Sequence, residues 1–359
     1  MKAVVAIDSF KGCLTSIEAN SAAAEGVRAA CPGADVVQVP VSDGGEGWLE
    51  AFHAAAGGER VSLSVCDPLM RPVRASYLLN GATAVIEMAQ ASGLTLLTRD
   101  ERNPMEATSY GTGQLVVDAV RRGARHIIVG LGGSATSDAG MGMLRAIVDA
   151  FANDDRWDDF EELKDVRFTI ATDVRNPLCG ENGAASVFAP QKGATPQMVS
   201  QLDRRAGKFA EMSARHFGYD RSQQAGAGAA GGLGYAFMQY LDAACRPGID
   251  LLLETVRFHR LVSNADLVLT GEGSADSQTL MGKLPMGVLK HSGHVPVCLI
   301  AGKVSDRRQL LDAGFARVEC INPPDMPVAE AMHKDVALRN ITQTVGTLLV
   351  RHGKDIEGS

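Results

Sequence analysis

The chain has 359 residues, of which 45% are apolar and 21% are charged, and its formal net charge is −7 at pH 7. This length exceeds what one ordinary hydrophobic core needs and suits two domains. The acidic balance and the lack of a long basic run argue against nucleic-acid binding. No apolar run is long enough for a membrane helix, and the seven cysteines are scattered singly. We therefore expect a cytoplasmic protein with reduced thiols and no membrane segment.

Apolar runs of β type alternate with helical patterns at both ends of the chain. The first predicted helix begins at Thr15, which is followed three residues later by Glu18, a typical capping pair. Strands are predicted at 2–7, 36–40, 265–270, 295–301 and 317–321, and helices at 15–30, 46–56, 282–291, 307–313 and 329–351. This alternation predicts a doubly wound parallel sheet in an α/β protein, for which the flavodoxin-like strand order is one common arrangement.

A long segment separates the second predicted strand from the third. Because this gap of about 200 residues is far too long for one crossover, we expect a second α/β domain inserted into the first. The predicted boundaries give residues 1–58 and 260–359 to the flavodoxin-like domain and residues 59–259 to the insert. In the insert, three runs at 60–65, 73–79 and 83–88 predict antiparallel strands. Further strands are predicted at 126–131, 167–172 and 185–188, and the last helix at 233–244.

Polar residues crowd the ends of two predicted strands of the first domain. Asp8, Ser9 and Lys11 follow the first strand, and the stretch from Gly271 to Thr279 follows the third. In the strand order 2-1-3-4-5 these two strands are neighbours, and open α/β sheets bind ligands at such an edge. Burying carboxylates is costly unless they bind or pair with something. The pattern therefore predicts a ligand site at this edge.

The rest of the chain offers similar candidates. Asp43 lies in a glycine-rich turn at a helix start, and the strand at 126–131 runs into Gly132, Gly133, Ser134 and Thr136, whose amides and hydroxyls could hold phosphate. Asp173 ends another strand, and Lys192 lies in a loop bounded by Pro and Gly. Taken singly, a strand-end Asp more often caps a turn, and a lone Lys is more often solvated. The recurrence of these residue types at several strand ends favours a functional site.

Two nucleotide-binding motifs do not fit. The segment 226–231 matches GxGxxG, but no strand precedes it, as the dinucleotide fingerprint requires. No GxxxxGK[ST] sequence is present, so any kinase here is not a P-loop enzyme.

Seven motifs, in order along nearly the whole chain, together form a specific pattern. They are Asp8-Ser9-Phe10-Lys11, Asp43-Gly44-Gly45-Glu46-Gly47, Gly132-Gly133-Ser134-Ala135-Thr136, Asn176-Pro177-Leu178, Pro190-Gln191-Lys192-Gly193-Ala194, the glycine-rich 226–232 segment, and Gly271-Glu272-Gly273 with Asp276-Ser277-Gln278-Thr279. This pattern resembles the bacterial type-1 glycerate kinases. The resemblance implies ATP- and Mg²⁺-dependent phosphorylation of D-glycerate in a cleft between the domains, with 2-phosphoglycerate favoured over 3-phosphoglycerate as product.

The resemblance and the needs of phosphoryl transfer together suggest a role for each candidate. Asp173 or Asp43 would be the base, and Glu272 and Asp276 would contact Mg²⁺ directly or through water. The expected catalytic set also includes Asp8 and Lys11. The residues expected to bind the nucleotide are Gly132, Gly133, Ser134, Thr136, Lys192, Gly228, Gly231, Gly232 and Lys283. The residues expected to bind the substrate are Ser9, Ser277, Gln278 and Thr279.

The chain also departs from the family pattern. Ser274 stands where the family usually has Arg after Gly-Glu-Gly, and the segment between residues 150 and 167 is shorter than usual. These departures leave two alternatives: a kinase of another small hydroxy acid, or a catalytically impaired relative that binds glycerate or a nucleotide. We expect a monomer or a homodimer.

Overall fold

The computed structural model describes residues 1–152, 157 and 160–357, with side chains described up to residue 350. The shortened segment between residues 150 and 167 lies partly outside these residues. The chain forms two compact units. The first comprises Met1–Ser42, Glu50–Ala56 and the chain from Ile249 onward, and the second comprises Asp43–Leu49 and Gly57–Gly248. Compared with the predicted boundaries, the glycine-rich turn that starts at Asp43 groups with the second unit, and residues 249–259 group with the first.

Eleven strands and fourteen α-helices are present in the described part of the chain. The strands are β1 (Lys2–Ile7), β2 (Asp35–Gln38), β3 (Glu59–Cys66), β4 (Pro72–Asn80), β5 (Thr83–Glu87), β6 (His126–Gly130), β7 (Arg167–Ala171), β8 (Ala244–Arg246), β9 (Leu267–Ala275), β10 (Val297–Val304) and β11 (Arg317–Cys320). The helices are α1 (Ser16–Ala30), α2 (Trp48–Ala56), α3 (Ala89–Ser92), α4 (Tyr110–Arg121), α5 (Met141–Phe151), α6 (Ala184–Phe188), α7 (Pro196–Phe217), α8 (Ala229–Leu241), α9 (Gly248–Thr255), α10 (Phe258–Val262), α11 (Leu284–His291), α12 (Arg307–Asp312), α13 (Val328–Ala331) and α14 (Lys334–Glu357). No helix in these ranges has an apolar stretch long enough to cross a membrane.

The sheet of the first unit has the order β2-β1-β9-β10-β11, and all of its strand pairs are parallel. This is the flavodoxin-like order 2-1-3-4-5, so the predicted fold class is confirmed. The alternation of side chains assigns the two faces of the sheet. Val5, Leu269 and Ile300 pack in one core cluster with residues of α1 and α14. The intervening residues of β9, including Thr270, therefore point to the opposite face.

Strand β9 extends five residues beyond its predicted end at Thr270. Its pairing with β10 continues to the match of Ala275 with Val304, so Glu272 lies inside the strand and not in a loop after it. Sequence preference obscured this extension because glycine and carboxylate residues are depleted in strands. The polar cluster is thus built on a rigid strand, and the loop that follows begins only at Asp276.

Two side chains of α1 complete the hydrogen bonding at the end of β1. The pairing of β1 with β2 ends at Gln38, two residues before β1 itself ends at Ile7. The Ile7 N–H donates to Asn20 Oδ1 at 3.3 Å, and Asn20 Nδ2 donates to the Ile7 carbonyl at 2.9 Å. Ser16 Oγ also donates to that carbonyl and accepts from the Val41 N–H. These bonds fix the strand end from which Asp8 emerges.

The second unit contains a six-stranded mixed sheet in the order β3-β4-β5-β6-β7-β8. The first three strands are antiparallel, as predicted, and β5 to β8 are parallel. The predicted strand at 185–188 was wrong, because these residues form helix α6. A short apolar run has no periodicity that separates the two structures. The last strand is instead β8, which overlaps the C-terminal end of the helix predicted at 233–244.

We expect Asn20→Leu to lower the free energy of unfolding by about 1–3 kcal/mol, because the Ile7 N–H would be buried without a partner and the Ile7 carbonyl would keep only the bond from Ser16. Urea denaturation measures this change. Glu25→Ala, on the exposed side of α1, is the matched control and should change stability little. Equal stability of the two variants would show that the Asn20 bonds contribute nothing net.

Candidate active site

A buried carboxylate is the centre of the polar cluster in the first unit. Glu272 is 8% exposed, and Thr279 Oγ1 donates to its Oε1 at 2.6 Å. Lys283 Nζ lies 3.7 Å from Glu272 Oε2 and 4.0 Å from Asp276 Oδ1. The turn between β9 and α11 therefore folds back over the strand and brings together a hydroxyl, two carboxylates and an ammonium group.

Burial raises the pKa of Glu272, while the bond from Thr279 and the charge of Lys283 lower it and so oppose part of the shift. The Thr279 hydroxyl also accepts from the Asp276 N–H at 3.0 Å, and Thr279 itself is fully buried. Its hydroxyl is thus engaged both as donor and as acceptor. By contrast, Ser277 and Gln278 are exposed at the tip of the turn.

The loop after β1 lies next to this cluster in the same sheet. The Asp8 N–H donates to the Gly271 carbonyl at 2.9 Å, which continues the pairing of β1 with β9. The Asp8 carboxylate accepts from the Ser9 N–H at 2.7 Å, and Lys11 is exposed. Phe10 is buried and packs with the apolar face of the sheet. The predicted neighbours Asp8, Ser9 and Lys11 therefore emerge at the same sheet edge as Glu272.

In the second unit, the turn that contains Asp43 crosses the ends of two strands. The Gly132 N–H donates to the Gly44 carbonyl at 2.9 Å, and a Cβ on Gly132 would lie 2.3 Å from the Gly45 Cα. A Cβ on Gly44, whose φ is +102°, would lie 2.8 Å from the Ala171 carbonyl oxygen. Only glycine permits this approach of backbone to backbone. Asp43 is thereby held at the carboxyl ends of β6 and β7.

Lys192 is the most deeply buried ionisable side chain among the candidates, with 2% exposure. Its Nζ donates to Ser134 Oγ at 2.8 Å and to the Thr136 carbonyl at 2.6 Å. Burial lowers the pKa of Lys192 to about 7, and the charge of Asp138 opposes part of this shift. Lys192 therefore holds the loop after β6 through two hydrogen bonds from its ammonium group.

The glycine-rich segment 226–232 packs against the same loop. Ala230, Gly231 and Gly232 all have positive φ, at 50°, 66° and 92°. A Cβ on Gly231 would lie 2.0 Å from the Thr136 carbonyl oxygen, and one on Gly228 would lie 2.4 Å from the Pro177 carbonyl oxygen. The three motifs at 132–136, 176–178 and 226–232 thus meet within one unit.

Asp138 is an organising residue to which the sequence analysis gave no role. Its carboxylate accepts from the N–H groups of Ser109, Gly140 and Gly142 and from the Ser109 hydroxyl. These bonds join the start of α4 to the start of α5. The sequence did contain a signal for this role, because Asp138 precedes Gly140 and a helical pattern, and Asp is preferred at helix starts.

Asp173, the other candidate base, follows β7 and is exposed. It is therefore open to solvent on the side where parallel strands end. Asn176, three residues later, donates from its side chain to the Asn182 carbonyl at 2.9 Å. The loop after β7 is thus fixed just beyond Asp173.

Within the described residues, no group of three or more His, Cys, Asp or Glu side chains could hold a metal ion alone. Mg²⁺ is commonly bound through one or two carboxylates together with substrate phosphates. Glu272 and Asp276 fit this partial role, because both carboxylates lie within 4.0 Å of one point, the Lys283 ammonium group, whose place a bound cation would take. The two carboxylates fit a Mg²⁺ ion whose remaining ligands come from a nucleotide.

Comparison with known proteins settles the family. The family model described as the glycerate kinase family matches residues 3–350. This chain belongs to the glycerate kinase family. It is therefore a kinase, and the predicted resemblance is confirmed.

The relatives of this family member cover almost its whole length. It is 42% identical to a glycerate kinase of Bacillus subtilis (92% of this chain, 93% of the relative). It is 41% identical to a glycerate 2-kinase of Escherichia coli (96% of this chain, 98% of the relative). A crystal structure from Salmonella typhimurium LT2, named as a glycerate kinase 2, is similar with a TM-score of 0.82, 36% identity and 99% coverage of both chains.

We expect Lys192→Met to reduce kinase turnover by at least tenfold, because the loop carrying Ser134 and Thr136 loses the two hydrogen bonds from Lys192 Nζ. The variant should also change how stability depends on pH. With a folded pKa near 7 and an ordinary value of 10.5, Lys192 binds more protons in the unfolded state between these values, so its contribution to stability rises with pH there.

Urea denaturation at pH 7 and pH 9.5 measures this term. The stability of the wild type relative to Lys192→Met should increase from the lower to the higher pH. Lys208→Met, at an exposed position of α7, is the matched control and should follow the wild type. Parallel pH profiles for wild type and Lys192→Met would contradict the assigned burial of the charge.

Proposed function

We propose that this kinase transfers the γ-phosphoryl group of ATP to D-glycerate with Mg²⁺, giving 2-phosphoglycerate. The observation that carries the proposal is the cluster of Glu272, Thr279 and Lys283 on β9 and its turn, in a chain that belongs to the glycerate kinase family. The name of the Escherichia coli relative, glycerate 2-kinase, supports the 2-position for the product.

Phosphoryl transfer requires positioning and charge stabilisation more than covalent participation by the protein. Lys11 and Lys283 supply positive charge at the edge of the first sheet, where Asp8 and Ser9 also emerge. Ser277 and Gln278 are exposed there and can donate hydrogen bonds to a small hydroxy acid. We assign these residues to anchoring the substrate and the phosphates.

The two loops of the second unit supply backbone donors for phosphate. Gly133 is exposed after β6, whereas the Gly132 N–H is already used by the Gly44 carbonyl, and Gly231 and Gly232 follow the turn at Gly228. Amides of glycine-rich turns are common phosphate ligands. We assign Ser134, Thr136 and Lys192 to holding these turns in place.

Glu272 and Asp276 would hold a nucleotide-bound Mg²⁺, which neutralises phosphate charge when it is present. The proton of the attacking hydroxyl needs a carboxylate acceptor. Asp173 is favoured over Asp43, because Asp173 is the exposed member of the pair at the end of its strand. We also propose that catalysis takes place in a cleft between the two units. We further propose that the protein is cytoplasmic and either a monomer or a homodimer.

Ser274 favours one alternative, a kinase of another small hydroxy acid. Its side chain is exposed on β9, two residues from Glu272, and it carries no charge for a carboxylate. A relative that binds glycerate or ATP without turnover is the other alternative, and the same experiment distinguishes the three.

We expect purified protein to release ADP from ATP in the presence of Mg²⁺ and D-glycerate, with 2-phosphoglycerate identified by phosphorus NMR. A 3-phosphoglycerate signal would overturn the regiochemistry alone. Turnover with a different hydroxy acid, but not with glycerate, would support the first alternative. Binding of ATP or glycerate by folded protein without any turnover would support the second.

We expect Asp173→Asn to lower kcat by about 10²-fold or more, because a neutral amide cannot accept the hydroxyl proton. Steady-state kinetics with saturating ATP and glycerate measure the loss. Asp43→Asn is the competing variant, and Asp165→Asn, exposed in the same unit, is the control. Unchanged kcat in Asp173→Asn with a large loss in Asp43→Asn would transfer the role of base to Asp43.

A further inference from the structure

The register of β9 and β10 aligns an uncharged residue with a lysine. Ser274 and Lys303 are direct partners in the parallel pairing, and Glu272 pairs with Ala301 two residues earlier. Residues paired across strands, and residues two apart along a strand, share one face of a sheet. Ser274, Lys303 and Glu272 therefore project from the same face.

The opposite face of the sheet is covered by Phe10 at this point. Gly273 and Gly302 lie between the residues named above, and a Cβ on Gly302 would lie 3.6 Å from the Phe10 ring. A Cβ on Gly273 would lie 3.8 Å from the Phe10 Cα. Phe10 thus covers the glycine face, and the lysine stands on the face that carries the carboxylate cluster.

The two lysines of this face differ in their contacts. Lys283 lies within 3.7 Å and 4.0 Å of the carboxylates of Glu272 and Asp276. Lys303 is exposed, and its side chain has no ion pair or hydrogen bond with the described residues. The Cα atoms of Lys303 and Glu272 should be about 8 Å apart from strand and residue spacings, a distance that a lysine side chain can bridge. Lys303 is therefore the ammonium group of this face that contacts no carboxylate, and it lies beside a cluster in which Lys283 already contacts both carboxylates.

We propose that Lys303 binds an anionic oxygen of the reactants, either the carboxylate of the hydroxy acid or a phosphate of ATP. This inference rests on the proposed function for the identity of the reactants. A lysine on a strand held by both neighbours is well placed for this role, because its Cα is fixed while its flexible side chain can follow the ligand. Ser274, its register partner, leaves room for the bound anion.

The test compares Lys303→Met with the wild type and with Lys290→Met, an exposed lysine of α11 in the same unit. We expect Lys303→Met to raise one KM about tenfold or more while kcat changes less than threefold. An increase in the KM for glycerate assigns the carboxylate, and an increase in the KM for ATP assigns the phosphate. Lys303→Arg should retain most of the affinity, and Lys290→Met should match the wild type.

An exchange variant tests whether the charge itself is responsible. Lys303→Ser combined with Ser274→Lys returns a positive charge to the same face one strand away, so it should recover much of the affinity that Lys303→Ser loses. Both KM values within twofold of wild type in Lys303→Met would overturn the proposal.

Calorimetric binding of ATP with Mg²⁺ and of D-glycerate separates this inference from the proposed function. A wild type that binds these ligands without turnover would remove the proposed activity, whereas weaker binding by Lys303→Met would still support the role of Lys303. A wild type that binds neither ligand would overturn both. Circular dichroism checks that each variant is folded.

Discussion

The pairing of β9 with β10 determines the site of the first unit. Since this pairing continues to Ala275, the residues of the polar cluster alternate between two faces with the regularity of a strand. One face must be apolar and glycine-rich to accept Phe10, and the other is left to Glu272 and its partners. A loop of the same composition would have to order itself with each ligand, at a cost in conformational entropy. Because the strand is already ordered before a ligand binds, this entropy is not lost on binding.

In the second unit, side chains and glycines, and not strand pairing, hold the loop of the candidate site in one conformation. The loop after β6 has Lys192 on one side and the left-handed turn at Gly231 on the other. Burying an ammonium group without a carboxylate in contact is costly. Here the ammonium group holds the loop at two positions, the Ser134 side chain and the Thr136 carbonyl.

Much of the first unit could be predicted because its strands are continuous apolar runs separated by helical patterns. The strand order, assumed from one common topology of such sheets, agrees with the structure, and the Thr15 capping box could be recognised from two residues. The extension of β9 was missed because local preference opposes it, and it exists only through its neighbours β1 and β10. Helix α6 and strand β8 were missed because segments of five and three residues carry too little periodicity.

In the candidate site, too, features set by local sequence could be predicted, and features set by tertiary contacts could not. The sequence placed Asp8 and Glu272 at one edge, because the ends of neighbouring parallel strands must meet. It could not reveal that Lys192 is buried, that Thr279 is engaged on both sides, or that Ser274 faces Lys303. Each of these facts depends on contacts between residues far apart in the chain, which composition and spacing do not encode.

The insertion also has a consequence for how the protein forms during synthesis. Strand β1 needs β9 as its neighbour, and the Thr270 hydroxyl donates to the Ala6 carbonyl across 264 residues of chain. The second unit is continuous from Gly57 to Gly248 and can largely collapse while the ribosome is still adding residues. The first 42 residues must wait for β9, so one apolar face of β1 and α1 stays uncovered until most of the chain has emerged. Because transiently exposed apolar surface favours aggregation, the topology makes this early segment the part of the first unit that depends most on completion of the chain.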